Sequence, residues 1–156
     1  MKKLLLLLTT ILLIPLNATP SNAGAYSEEC RNRMRSFQDL IEDKFKTSLY
    51  ANRNNLTGNP PLEGARDWID VQLGDLSDPR NHENGNKVME SPVFLKNAAK
   101  QIMDSCYPVI GRISFSLAGS DYRRSYSYIP GKGVEEDKCL PEITLGEEPW
   151  GFQNCL

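Results

Sequence analysis

The chain has 156 residues, 18 Lys and Arg against 20 Asp and Glu, a formal charge of −2, four cysteines and one histidine. The acidic balance argues against a nucleic-acid binder, which carries a basic excess. A single histidine leaves triad chemistry dependent on one position, and the length suits a single domain.

Lys2 and Lys3 precede an apolar run from Leu4 to Leu16 broken only by Thr9, Thr10 and Pro15, and Ser21-Asn22-Ala23 supplies small residues after it. These are the parts of a secretory signal peptide. The run is too short to span a bilayer, which takes roughly 20 residues. Cleavage is expected after Ala23, with Ala25 as the alternative. That leaves residues 24–156 as one domain, with no membrane span after cleavage and a periplasmic or secreted location.

Ser27 caps a helix expected to reach about Lys46, with Cys30, Met34, Phe37, Ile41 and Phe45 as its apolar stripe. Arg31, Arg33 and Arg35 splay around it. They form either an anion patch or, more commonly, a solvated face balanced by Glu28, Glu29, Asp39, Glu42 and Asp43. Residues 51–65 are rich in Asn, Gly and Pro and read as a loop, carrying the sequon Asn55-Leu56-Thr57. Asp67 to Leu73 alternates in polarity and reads as a short strand that joins the sheet formed later in the chain.

Asp75 to Glu90 reads as a polar loop. Its oxygen-rich composition raises calcium, but setting Gly85 at the glycine position of an EF-hand puts Arg80 and His82 where acids belong. Ser91 and Pro92 start a second helix. Phe94, Leu95, Ala98, Ile102 and Cys106 share its apolar face, and Pro108 stops it. A hairpin follows. Gly111, Ile113, Phe115 and Leu117 alternate with Arg112, Ser114 and Ser116, and after the turn Gly119-Ser120-Asp121, Tyr122, Tyr126 and Tyr128 alternate with Arg123, Ser125 and Ser127. Such a hairpin has one greasy face that needs a helix and one Ser/Arg face.

Gly133 to Cys139 reads as a charged edge strand. The tail carries Trp150 and Phe152, expected as a lid over the core, with an exposed sugar-stacking platform as the alternative. The fold class is therefore α+β: a small antiparallel sheet with one or two helices packed on it.

An even cysteine count in an exported chain reads as two disulfides. Cys30, Cys106, Cys139 and Cys155 allow three connectivities; Cys139–Cys155 with Cys30–Cys106 is favoured, closing the tail and stapling the first helix to the second. No close C-x-x-C pair supports zinc, and no cofactor or metal is expected. The chemistry search is poor. No G-x-S-x-G elbow, H-E-x-x-H pair or Walker glycine loop occurs. Carboxylates near one another in sequence (Asp67 and Asp70, Asp75 and Asp78, Glu147 and Glu148) are the only candidates for glycan-type acid/base hydrolysis.

The segments NKVMESPVFLKNAAKQIMDSCYPV, ISFSLAGSDY and EEPWGFQNCL resemble a group of small exported proteins common in cyanobacteria, without an assigned function. The likeness covers about Asp67 to Leu156. It departs from that pattern at Phe115-Ser116, where the group carries Phe-Gly, and at Ser120, where it carries threonine. The resemblance implies a helix on an antiparallel sheet in a cell-envelope compartment and transfers no catalytic residue. The leading expectation is a non-catalytic binding or interaction module whose partner is an envelope protein or a small ligand. Its working surface would be the sheet face of Arg112, Ser114, Ser116, Arg123, Ser125 and Ser127, unless that face is merely wetted or covered by the N-terminal helix. A small carboxylate hydrolase and an envelope assembly subunit are the alternatives.

Overall fold

The computed structural model describes residues 26–56, 62–141 and 149–155. The expected signal peptide, Thr57 of the sequon, Glu147 and Glu148 lie outside the described residues. In chain order the elements are α1 (Glu28–Lys44), β1 (Leu49–Asn55), β2 (Asp67–Leu73), α2 (Pro79–Met89), α3 (Pro92–Ser105), β3 (Ile110–Leu117), β4 (Arg123–Ile129), β5 (Gly133–Glu136), β6 (Lys138–Cys139) and β7 (Phe152–Gln153). The fold is α+β, stapled by disulfides Cys30–Cys106 and Cys139–Cys155.

The main sheet runs β1-β2-β3-β4-β5. It is mostly antiparallel, with β2 and β3 as the one parallel pair. A parallel pair needs a long crossover, and α2 and α3 are that crossover. The period-two pattern then sorts the side chains. Ile69, Val71 and Leu73 on β2 register with Ile113, Phe115 and Leu117 on β3, so they build one apolar face.

Helices α1 and α3 both pack on that face. Phe115, fully buried, meets the rings of Phe37 from α1 and Tyr126 from β4 edge-on, each at 5.9 Å. The Cys30–Cys106 bridge ties the start of α1 to the end of α3. Ser27 caps α1 as expected, accepting from the Cys30 N–H at 3.1 Å. Ser91 stands at the start of α3 but does not cap it; its hydroxyl instead donates to the Lys87 carbonyl at 3.2 Å. The preceding helix takes the oxygen that the sequence assigns to a cap.

Two loop expectations are corrected. Leu49–Asn55 is a strand, although LYANRNN is a poor strand former. Its register with β2, Leu49 opposite Leu73 and Ala51 opposite Val71, supplies what propensity lacks. Pro79–Met89 is a helix within the stretch read as a loop. Asp78 caps it through the Arg80 and Asn81 N–H groups, Pro79 takes the first position, and Val88 and Met89 are wholly buried.

The polar residues of α2 that read as turn formers are tethers. Asn81 accepts from the Thr47 hydroxyl and the Ser48 N–H ahead of β1. The His82 ring Nε2 lies 3.0 Å from the Ala118 carbonyl. Gly85 lets the helix close on the sheet, because a Cβ there would stand 3.1 Å from the Gly74 Cα and 3.2 Å from a Leu117 methyl.

Candidate functional site

The hairpin face read as a working surface is not open throughout. Ser114, Ser125 and Ser127 are buried. The cover is the C-terminal segment, not α1, which lies on the opposite face. Past β5 the chain turns at Asp137, whose N–H donates to the Ser125 carbonyl at 2.8 Å. The Gln153 side chain then completes the ladder, accepting the Ser125 N–H at 3.0 Å and donating to the Asp137 carbonyl at 3.3 Å. Short parallel strands β6 and β7 and the Cys139–Cys155 bridge hold Gln153 in place.

Arg112 reaches under the same cover. It pairs with the fully buried Asp137 carboxylate at 2.7 Å and donates to the Phe152 carbonyl at 2.6 Å. The hydroxyls of Ser114 and Ser125 bond each other at 2.8 Å. Trp150 donates its ring N–H to the Tyr128 carbonyl at 3.1 Å, and its edge lies where a Cβ on Gly111 would fall, 2.6 Å away. Gly111 is the extra residue at the register shift between β2 and β3, so the bulge makes room for the indole. The tail is thus a lid, as expected, but over the polar face instead of the oily core. A network of this kind rigidifies a fold, although the buried Ser127 hydroxyl has no hydrogen-bond partner among the described residues.

What stays open on this side is a polar cleft of about 520 Å³ beside Arg123, between the hairpin turn and the tail disulfide. Tyr122, Arg124 and Glu136 line it; Arg124 is paired with Glu136 at 2.5 Å. Ser116 and Arg123 are half-buried at its edge of the sheet. Asp70, on the same sheet face, has its carboxyl pushed up by burial, against the opposing pull of Arg123.

Of the described hydrolase carboxylates, Asp67, Asp75 and Asp78 are engaged elsewhere, while the Asp70 Oδ1 is buried without a hydrogen-bond partner. Asp67 and Asp70 project to opposite faces of β2, and Asp67 is buried against Arg53 at 2.7 Å. Asp75 accepts from the Ser77 N–H and hydroxyl, which hold its carboxyl below the usual range. Asp78 is the α2 cap. Among the described residues no cluster of three His, Cys, Asp or Glu side chains has metal-binding geometry, and no helix is long and apolar enough to cross a membrane. Among the described residues the exposed large apolar side chains, Leu40, Tyr50, Leu76, Val93, Tyr107, Tyr122 and Phe152, are scattered over separate segments.

Another opening among the described residues lies on the apolar face, and nothing in the sequence pattern marks it. A groove of about 300 Å³ runs under α1 from the β1 edge inward. Its floor is Ile69, Val71, Ile102 and Ile113, each buried to 3% exposure or less. Leu49 and Ala51 form the outer wall, and the α1 flank carrying Arg31, Met34, Arg35 and Gln38 forms the roof. Positions 31, 34, 35 and 38 share one side of a helix, so two of the three arginines read as a solvated face, Arg31 and Arg35, rim this opening, while Arg33 turns away to the Gln101 amide.

Tyr26 closes one end, its ring under the Arg53 guanidinium at 4.8 Å. Burial, and next the nearby Asp67 charge, push its hydroxyl up to about 12. The groove exists because β1 is short of bulk where α1 passes over it: Ala51 stands opposite Val71 and offers only a methyl. Sequence patterning marked Met34 and Phe37 as core, yet gave no sign that the small residue opposite them lay on a strand.

No family model, no curated protein and no solved structure matches this chain.

Proposed function

We propose that the protein is an exported, non-catalytic binding module of the cell envelope, acting in the periplasm or outside the cell after removal of residues 1–23. Its working site, in this reading, is the groove beneath α1 and not the Ser/Arg hairpin face. One observation carries this: a preformed concave site with a buried aliphatic floor and a few polar groups at its mouth, the usual form of small-ligand sites. Two disulfides and the sequence of the N-terminus support the location. The reading assigns no cofactor and no nucleic-acid partner.

The test of the site is titration of the oxidised protein with a neutral apolar dye such as Nile red. One saturable site is expected in the parent, and Ala51→Trp, which fills the outer wall, is expected to abolish it. Equal dye binding by both proteins would refute the groove. For location, intact mass of protein recovered from the envelope fraction should begin at Gly24 or Tyr26, with both disulfides formed. Four free thiols on a chain still carrying its leader would overturn it.

A further inference from the structure

The groove has a charge as well as a shape. Its lining includes two cationic side chains, Arg31 and Arg35, and no carboxylate. Among the described residues neither arginine is in an ion pair; Arg31 donates to the Tyr26 carbonyl, and Arg35 is exposed at the mouth. Arg53, Arg112 and Arg124 are each paired with an acid, whereas Arg33, on the same helix but outside the groove, meets the neutral Gln101 amide. The two guanidiniums, Arg31 with one N–H given to the Tyr26 carbonyl, sit one helical turn apart on the roof of a groove floored by aliphatic carbon. A polar ligand would leave that floor badly matched, and a neutral apolar one would leave the arginines without use.

From this complementarity we propose that the groove takes a free single-chain amphiphile with an anionic head, of the fatty-acid monocarboxylate class. The chain lies beneath α1 against Val71 and Ile113, and the carboxylate meets Arg31 and Arg35 at the mouth. Guanidinium pairs with carboxylate through two parallel N–H···O bonds, which fits a head held at a rim. The volume, about 300 Å³, lies at the lower end of small-ligand sites and so suits one chain, not a two-chain lipid. A second copy of this protein docking by its β1 edge is disfavoured, since it would bring the same arginines face to face. This inference rests on the groove being the binding site.

Calorimetric titration of the oxidised protein at pH 8 with decanoate and with decanol, both below their aggregation limits, tests it. Decanoate is expected to bind one-to-one and at least about tenfold more tightly than decanol, the worth of a charge-assisted pair. Arg31→Gln with Arg35→Gln should erase that preference, bringing decanoate and decanol to equal affinity, and a thermal melt checks that the variant folds. Equal affinity for the acid and the alcohol overturns the anionic head while leaving the groove standing. Binding of neither overturns both. Co-sedimentation with phosphatidylglycerol vesicles in the absence of decanoate binding replaces the free amphiphile with a membrane surface.

Discussion

On one side of the sheet Ile69, Val71, Ile113 and Phe115 meet α1 and α3 through carbon alone. On the other side Arg112, Ser114, Ser125 and Ser127 meet the C-terminal tail through an ion pair, a glutamine side chain and a disulfide. The two contacts fail differently. A gap between aliphatic surfaces forfeits dispersion and little else, so the apolar side can carry a groove and remain folded. A gap in the buried polar network strands a charge or a backbone group, at a cost of about 1–3 kcal/mol for each neutral one. The polar side therefore tolerates few such gaps, of which the buried Ser127 hydroxyl is one, whereas the oily side holds its proposed ligand groove at little cost.

The largest expected effects remove the centre of either side. Phe115→Ala should cost about 3–5 kcal/mol in urea unfolding, as buried phenylalanine truncations do. Asp137→Ala should cost about 3–5 kcal/mol by leaving Arg112 charged under the tail. Arg112→Met combined with Asp137→Leu should regain most of that loss. No recovery in the double variant would mean that the backbone around Asp137, not the charge pair, holds the tail.

Next comes the tail disulfide. Cys139→Ser with Cys155→Ser opens a short loop whose closure is worth about 3 kcal/mol on the chain-entropy account. The loss should be local: amide exchange at Ser125 should accelerate as Gln153 leaves, while amides of α3 stay protected. Uniform acceleration across the molecule would show that the two sides are not separable.

Alkali probes the apolar side from within. Burial pushes the hydroxyls of Tyr26 and Tyr126 up to about 12, against about 10 in an unfolded chain. Below the lower value both states hold the proton and stability is complete; between about pH 10 and about 12 the unfolded state ionises first and stability falls. Tyr126→Phe should flatten that decline, as read from urea midpoints across the range.

The smallest effects separate two serines that look alike in sequence. Ser27→Ala should cost about 1 kcal/mol, the worth of a helix cap. Ser91→Ala, which removes no cap bond, should cost less than about 0.5 kcal/mol, as surface changes do.

Local pattern determined a good deal of this molecule. The stripes of α1 and α3, the alternation in β2, β3 and β4, the start of the charged edge strand β5, the α+β class and the presence of two disulfides are legible, because each rests on periodicity or composition; which cysteines pair, and that the strand read to Cys139 breaks after Glu136, the fold decides. What escaped was whatever depends on a distant partner. LYANRNN is a strand only because β2 supplies its hydrogen bonds, and PRNHENGNKVM is a helix fixed by Thr47, Gly74 and Ala118. Gln153 finishes a ladder begun far away at Ser125. The groove is the same kind of feature: no property of Ala51 or of Arg35 announces it, since a hollow is set by what neighbouring elements leave unfilled, and only their tertiary placement decides that.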